Sequence, residues 1–293
     1  MADEHVIGVD LGGTKILAGV VGVDGRIRGT VEYPTPTTSE DALLDALERA
    51  VRELLSDDTR AVGFGVPARV DQHTGRVLGA VNIPLHDLVF GPDMERRLGL
   101  PVGVENDASA AALAEFTHGA GRGAHDMVML TLGTGVGGGV VIAGKLYRGW
   151  TELGHMVIVE DGEPCQGACS GRGHLEAYCS GHAADQLARR VLGPAATARD
   201  LVAQRHPALS EIGRHLGTAI GSLINIFSPQ VVVLGGGFGS AAGELLFDSA
   251  RALILRDALA PGGYETRLAL AELGPSAGLI GAGLVGFDAL VRA

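Results

Sequence analysis

The chain has 293 residues, of which 46% are hydrophobic and 19% are charged. This composition excludes a disordered chain and a small module held by disulfides, and it fits one large α/β domain or two domains of ordinary size. The formal net charge of -11 argues against a broad nucleic-acid surface, because phosphate backbones require clustered Lys and Arg.

The N-terminal segment predicts antiparallel strands. Residues 5–33 alternate short β-branched runs with glycine-rich breaks, the pattern of two or three strands joined by tight turns. The opening MADEH leads straight into the apolar VIGVD, without the regions of a signal peptide. We therefore expect a cytoplasmic protein that does not act at a membrane.

A helix is predicted over residues 40–55, with Thr38 or Ser39 as its N-cap, because six apolar residues share one face. The segments AVGFGVP and PVGVEND then predict short buried strands. Asn106 and Asp107 follow the second of these, immediately before an alanine-rich helix. A carboxylate at this place can act as a general base, and the alternative is that both residues cap the helix.

The second half of the chain repeats the beginning of the first. DLGGTK at 10–15 and TLGTGVGGG at 131–139 stand at the same place in two strand–turn–strand patterns, which predicts a duplicated half and two facing lobes. Residues 127–144 carry no charge but contain six glycines, so a strand pair is favoured over a membrane span. A helix-rich stretch over 183–227, a buried strand over 230–237 and helices over 240–258 and 276–291 follow.

Three glycine-rich segments are candidate phosphate or nucleotide loops. GVDLGGTK and LGTGVGGG can turn backbone N–H groups toward a phosphate, although neither has the Walker A order and both can be plain hairpin turns. VVVLGGGFGSA resembles a dinucleotide fingerprint but has Ser240 at the third glycine position. It favours a turn beside an adenosine, with a turn that binds no ligand as the alternative.

All three cysteines lie between residues 164 and 181. Cys165 and Cys169, together with His155 and His174, supply four nitrogen and sulfur ligands, enough for a tetrahedral zinc site. The alternative is a set of free structural thiols. Cys179 falls outside the proposed set.

These motifs, in this order and over nearly the whole chain, resemble the ROK family of sugar kinases and repressors (repressor, open reading frame, kinase), and within it the bacterial glucokinases. GVDLGGTK and LGTGVGGG resemble its two phosphate loops, GFGVPARVD its sugar-side loop, and VENDASAAALAE its catalytic segment. VVVLGGG resembles the adenosine-side strand, and ELGHM with the cysteines and HLEAY resembles the zinc signature.

The resemblance implies an actin-like, hexokinase-type α/β fold with duplicated βββαβαβα-like halves, and ATP and sugar bound in a cleft between two lobes. Residues 1–117, joined by the helix 278–293, would form the small lobe. Residues 118–277 would form the large lobe, with the zinc loop and the nucleotide-side elements. The lobe boundary is expected within residues 115–122.

Site residues are carried over by position. Asp107 would be the catalytic base. The sugar would be bound by Ala68, Arg69, Asn82, Asn106, Asp107, Glu152, His155 and Glu176. The nucleotide and magnesium would be held by Asp10, Gly12, Gly13, Thr14, Lys15, Gly133, Thr134, Gly135, Gly235, Gly236 and Gly237. A structural zinc would be bound by His155, Cys165, Cys169 and His174.

The sequence departs from the family pattern at three places. His174 stands where the third zinc-binding cysteine is expected, and the first cysteine spacing is longer. Arg69 follows Ala68 where the family has glycine and a smaller residue. The segment before Glu152 is short and contains Trp150 in place of small residues. The last two departures lie on the sugar side and bear on the choice of substrate.

The expected activity is ATP-dependent phosphorylation of the 6-hydroxyl of glucose. N-acetylmannosamine or mannose are alternative acceptors, and polyphosphate is an alternative donor. A sugar-responsive transcriptional repressor is the remote alternative, since such repressors usually carry an N-terminal helix-turn-helix and here the first strand starts near residue 5. An NAD oxidoreductase would rest on GGGFGS alone. We expect a sugar and a nucleotide as ligands, no nucleic acid, and a homodimer or homotetramer.

Overall fold

The computed structural model describes residues 4–80 and 83–292 of the chain. Its strands are β1 (His5–Leu11), β2 (Lys15–Gly22), β3 (Ile27–Pro34), β4 (Thr59–Val66), β5 (Ala68–Asp71), β6 (Arg76–Ala80), β7 (Val102–Asn106), β8 (Met127–Leu132), β9 (Val136–Ile142), β10 (Lys145–Leu146), β11 (Val231–Gly235) and β12 (Arg267–Leu270). Its α-helices are α1 (Glu40–Leu54), α2 (Phe90–Leu98), α3 (Asp107–His118), α4 (Leu175–Cys179), α5 (Gly181–Leu192), α6 (Ala198–Ala203), α7 (Leu209–Phe227), α8 (Gly237–Asp257), α9 (Gly262–Glu265) and α10 (Ala277–Arg292).

The chain divides into two units. The first contains residues 1–118, 148–150 and 275–293, and the second contains residues 119–147 and 151–274. The first break thus falls inside the expected 115–122 region. Compared with the predicted lobes, the first unit also contains the short segment Arg148–Trp150, which no local pattern separates from its neighbours.

The sheet of the first unit has the strand order β3-β2-β1-β4-β7. Its first three strands are antiparallel, which confirms the strands predicted over residues 5–33, and β1, β4 and β7 are parallel. Helix α1 begins after Ser39, whose side chain accepts a hydrogen bond from the N–H of Ala42 at 3.2 Å. Ser39, and not Thr38, is therefore the N-cap.

A row of glycines crosses this sheet and lies under α10. Gly8, Gly63 and Gly103 are register partners in β1, β4 and β7. A Cβ on any of them would run into α10, at the carbonyl oxygens of Leu279, Ala282 and Val285 respectively. Helix α10 therefore rests directly on the backbone of the three parallel strands.

Helix α10 also packs closely against α3. A Cβ on Gly281 would overlap the backbone carbonyl of Ala110, so small residues on both helices allow this contact. In the described residues, the window Gly274–Val291 is long and apolar enough to span a membrane by composition, and half of it is buried. Its packing against the sheet and α3 accounts for this apolar sequence.

The second unit repeats the strand order of the first. Its sheet has the order β10-β9-β8-β11-β12, with an antiparallel hairpin side and a parallel side. The uncharged residues 127–144 form β8 and β9, as predicted. Helix α8 begins at Gly237, earlier than the predicted residue 240, because Gly236 has a φ of 80° and turns the chain directly from β11 into the helix.

The glycine row gives a stability prediction. Gly63→Ala should lower the free energy of unfolding by about 1–3 kcal/mol or more, because the methyl group would push α10 off the sheet. Gly29→Ala in β3 is the matched control, since its Cβ would meet no described atom within 4 Å, and it should stabilise by up to about 1 kcal/mol. Urea unfolding of both variants measures the difference, and equal effects would contradict the packing argument.

Candidate active site

Asn106 and Asp107 lie at the junction of β7 and α3 in the first unit. The Asn106 Oδ1 atom accepts hydrogen bonds from the backbone N–H groups of Ala108 at 3.0 Å and Ser109 at 3.1 Å. Its Nδ2 group donates to Asp107 Oδ1 at 3.0 Å, which also accepts from the Ala108 N–H at 2.9 Å. Asn106 therefore caps α3, as in the alternative interpretation, and also fixes the orientation of the Asp107 carboxylate.

The carbonyl group of Ala68 completes this network. It accepts from Asn106 Nδ2 across 3.4 Å, a long distance for an N–H···O bond. This bond is the weakest that Asn106 makes, so a substrate hydroxyl could replace it at low cost. Asn82, the other residue predicted on this side, lies outside the described residues.

Arg69 and Trp150, two departures from the family pattern, contact each other. The guanidinium carbon of Arg69 lies 5.0 Å from the centroid of the Trp150 ring, which is a cation–π contact. Both residues are exposed and both belong to the first unit. Sequence spacing gave no sign of this contact, because the two residues are far apart in the chain.

The turn between β1 and β2 is closed by its own hydrogen bonds. The Gly12 N–H donates to the Lys15 carbonyl at 2.9 Å, and the Thr35 hydroxyl donates to the Gly12 carbonyl at 2.7 Å. The Lys15 ammonium pairs with Glu32 at 2.9 Å. The Gly12 amide is thus engaged inside a hairpin turn, which leaves Gly13 and Thr14 as the predicted phosphate contacts of this loop.

Asp10 is the residue before the last of β1 and lies beside the first turn of α10. A Cβ on Gly278 would lie 2.5 Å from Asp10 Oδ2, so only a glycine admits the carboxylate at this place. Burial raises the pKa of Asp10 above its usual value, and the charge of Lys15 opposes this effect only in part. Among the described residues, the desolvation of Asp10 thus outweighs the favourable charge of Lys15.

The glycine loop after β8 is joined to Glu176 within the second unit. The Gly133 N–H donates to the Gly135 carbonyl at 2.9 Å, which closes a turn around Thr134. Glu176 Oε2 accepts from the Val136 N–H at 2.8 Å, and a Cβ on Gly135 would overlap this oxygen. Glu176, predicted to bind sugar, thus also supports the predicted second phosphate loop.

The turn after β11 lies beside the same loop. A Cβ on Gly236 would lie 2.5 Å from the Leu132 carbonyl oxygen, so both its positive φ and its close approach require glycine. Gly235 ends β11 and Gly237 begins α8. A Cβ on Gly133 or Gly237 would meet no described atom within 4 Å. Both backbones therefore face open space, where the phosphates and nucleoside of a nucleotide can approach.

Four predicted metal ligands lie together in the second unit. One donor atom from each of His155, Cys165, Cys169 and His174 lies within 4.8 Å of all the others. Cys169 Sγ is 3.6 Å from His174 Nδ1, and tetrahedral zinc places its ligand atoms about 3.3–3.8 Å apart. Within the described chain, the buried His155 Nδ1 has no hydrogen-bond partner, with Glu152 Oε2 3.5 Å away. The donor set fits zinc.

The surroundings of this cluster connect it to Glu176. Cys165 Sγ lies 3.8 Å from Glu176 Oε1, and burial together with the neighbouring Cys169 raises the pKa of Cys165 to about 11. Metal binding would have to displace that proton. Cys179 is fully buried and its thiol donates to the Ile212 carbonyl at 3.6 Å, so it lies outside the cluster.

The predicted sugar-binding residues fall into two groups. Ala68, Arg69, Asn106 and Asp107 belong to the first unit, and Glu152, His155 and Glu176 belong to the second. Two α/β units of the same strand order, one with a carboxylate at a helix start and one with paired glycine turns, define a hexokinase-type fold.

A model of the ROK family matches residues 6–286, and the chain therefore belongs to the ROK family. A glucokinase of Streptomyces coelicolor is 36% identical, covering 94% of this chain and 95% of the other. The structure of a ROK family glucokinase from Streptomyces griseus in complex with glucose and AMPPNP gives a TM-score of 0.82 at 34% identity, covering 97% of this chain and 99% of that one. An N-acetylmannosamine kinase of Citrobacter koseri is 33% identical, covering 95% and 97%.

The environment of Asp10 gives a pH-dependent prediction. Because its pKa is raised, the folded protein loses stability as the pH rises from the ordinary carboxyl range through the raised pKa. Asp10→Asn should therefore raise the melting temperature of the nucleotide-free protein at neutral pH, and the gain should shrink as the pH is lowered. Asp58→Asn, which removes an exposed carboxylate, is the control. A lower melting temperature for Asp10→Asn would mean that the N-terminus of α10 stabilises the carboxylate more than burial penalises it.

Proposed function

We propose that this protein is a sugar kinase that transfers the γ-phosphoryl group of ATP to the 6-hydroxyl of glucose. The observation that carries the proposal is the Asn106–Asp107 pair, in which a carboxylate is held at the start of α3 by an amide and a backbone N–H. Its support is the similarity of the whole chain to glucokinases. The family includes repressors, so phosphorylation itself is the property to be tested.

Asp107 would act as the general base. Its carboxylate would accept the proton of the 6-hydroxyl as that oxygen attacks the γ-phosphorus and the bond to the ADP oxygen breaks. The Asn106 amide and the N–H groups at the start of α3 would hold the carboxylate in its orientation before the proton arrives. Orientation of this kind lowers the entropic part of the barrier.

Sugar hydroxyls would meet hydrogen-bonding groups from both sets of predicted residues. A hydroxyl beside Asp107 could donate to the Ala68 carbonyl and accept from Asn106 Nδ2, in place of their long mutual bond. Glu152, His155 and Glu176 would bind other hydroxyls, and Glu176 retains its Oε1 atom for this while Oε2 holds Val136. Arg69 and Asn82 stay predicted members of this set.

On the donor side, backbone amides would hold the phosphates. The first loop would contribute Gly13 and Thr14, and the second Thr134 and Gly135, since the Gly133 amide is already bonded to the Gly135 carbonyl. The turn Gly235–Gly237 would border the nucleoside. Asp10 would bind magnesium, which would give its buried carboxylate a partner and neutralise charge on the phosphates. Lys15, paired with Glu32, would have to leave that partner to reach a phosphate.

Zinc in the Cys and His cluster would have a structural role. A glycine-rich loop with few apolar residues is poorly fixed by packing alone, whereas four metal bonds would hold it up to His174, directly before the helix α4 that carries Glu176. The contact of Cys165 with Glu176 supports this coupling. We also propose that the enzyme is cytoplasmic, because ATP is available there, and that it forms a dimer or a tetramer.

One experiment tests the proposed reaction. Purified protein is incubated with ATP, ADP, GTP or polyphosphate and with glucose, mannose or N-acetylmannosamine, and sugar phosphate is measured. Glucose with ATP should give the highest kcat/KM. The N-acetylmannosamine kinase relative makes that sugar the main rival acceptor. Sugar binding without any phosphorylation would favour a repressor.

Removal of the proposed base gives a sharper test. Asp107→Asn should lower kcat by about 100- to 10,000-fold, the usual contribution of a general base, and leave ATP binding intact. Asn can still accept the Ala108 N–H, so the fold should persist. Steady-state kinetics, calorimetric ATP binding and the melting temperature are compared with Asp58→Asn. Near-normal kcat in the folded variant would reduce Asp107 to a capping residue.

The zinc assignment is tested by metal content. Protein purified without added metal should hold one zinc per chain, and Cys169→Ser or His174→Ala should lose it and raise the KM for sugar more than the KM for ATP. Cys179→Ser is the matched control and should keep its zinc, because its hydroxyl can still donate to the Ile212 carbonyl. Active wild-type enzyme without metal, or full zinc in His174→Ala, would overturn the ligand set.

A further inference from the structure

The Arg69–Trp150 pair is held in place beside the proposed base. Arg148, two residues before Trp150, donates to Gln72 Oε1 at 3.0 Å and to Asp288 Oδ2 at 2.7 Å. Gln72 in turn donates to the Val104 carbonyl at 3.3 Å. Residues 148–150 therefore lie alongside β5 and the residue after it, fixed at one end by Arg148 and at the other by the cation–π contact.

The pair adjoins the hydrogen-bond network of Asp107. Arg69 directly follows Ala68, whose carbonyl accepts from Asn106 Nδ2, and that same nitrogen is 3.0 Å from Asp107 Oδ1. Asp107 is therefore linked to the stacked pair through the side-chain amide of Asn106 and the backbone carbonyl of Ala68. A group on the substrate that reaches these two atoms comes next to Arg69.

Sugar geometry identifies that group. The argument rests on the proposed function, in which the 6-hydroxyl of a hexose meets Asp107. In a hexopyranose the ring hydroxyl closest to the 6-oxygen is the one on C4, so Asn106 and Ala68, adjacent to Asp107, would meet the C4 hydroxyl. The stacked pair then stands at the C4 side of the acceptor.

We propose that Arg69 and Trp150 form a wall that admits a free hydroxyl at C4 and excludes a larger substituent there. The exposed indole, with 59% of its surface accessible, is planar and apolar, and the guanidinium stacked on it limits its rotation. The pair is therefore a specificity determinant for C4.

The first test compares sugars that differ at C4 and at C2. Wild-type protein, Arg69→Ala and Trp150→Ala are assayed with glucose, 4-O-methylglucose and mannose. Each variant should raise kcat/KM for 4-O-methylglucose relative to glucose by about 10-fold or more, in the range that one carbon group is worth in a closed pocket. The mannose to glucose ratio should stay unchanged. Tyr147→Ala, which removes another exposed aromatic ring, should alter neither ratio.

The second test needs no turnover. Trp150 is the only tryptophan in the chain, so intrinsic tryptophan fluorescence reports on this position alone. Glucose added without nucleotide should change the emission in a saturable way in the wild type and in Asp107→Asn. A smaller change is expected in Arg69→Ala, in which the indole is no longer stacked.

The outcomes separate the two proposals. If the wild type phosphorylates none of the hexoses, the proposed function is overturned, and so is the assignment of Arg69 and Trp150 to the C4 side of the sugar. If it is an active glucokinase but both variants keep the wild-type 4-O-methylglucose to glucose ratio, the wall alone is overturned. An equal shift in the mannose ratio, or tryptophan emission that does not respond to glucose, also contradicts the wall.

Discussion

The close contact between α10 and the row of glycines in the first sheet is the constraint on which the first unit depends. A Cβ on Gly63 would separate the helix from the strands. At its first turn the same helix admits the Asp10 carboxylate beside Gly278, and at Gly281 it packs against the backbone of α3. Because α3 begins with Asp107, the position of α10 determines where both the proposed base and the proposed magnesium ligand Asp10 lie.

In the second unit, the proposed site residue Glu176 is positioned by hydrogen bonds and a thiol contact rather than by close backbone packing. Glu176 Oε2 accepts a hydrogen bond from the Val136 N–H, and Glu176 Oε1 contacts the Cys165 thiol. It thereby joins a loop with few apolar side chains to the glycine turn after β8. A partly buried carboxylate in such a place is stabilised by these partners. Loss of the Cys and His cluster would therefore affect the proposed second phosphate loop as well as the proposed sugar contact of Glu176.

The sequence was sufficient for the features that depend on local pattern. Hairpins, the α1 face, the repeated strand order and the Cys and His cluster follow from periodicity, glycine positions and ligand spacing. Contacts between distant segments could not be predicted in this way. The Arg69–Trp150 stack and the Asp10–Gly278 approach join residues whose proximity depends on the complete fold. Gly12 shows a further limit of prediction from sequence. A glycine-rich turn can present its N–H group to a phosphate or use it inside the turn, and the Gly12 N–H donates to the Lys15 carbonyl.

The groups proposed for phosphoryl transfer and for sugar choice differ in how freely they can be replaced. Glycine amides at close approaches and Asp10 are fixed by surrounding backbone, so their substitution disturbs packing. Arg69 and Trp150 are exposed, and exposed side chains can usually be replaced with little effect on stability. If the proposed roles hold, acceptor specificity can change at these exposed positions with little effect on the groups proposed for phosphoryl transfer, which is a physical route by which one architecture can serve different sugars.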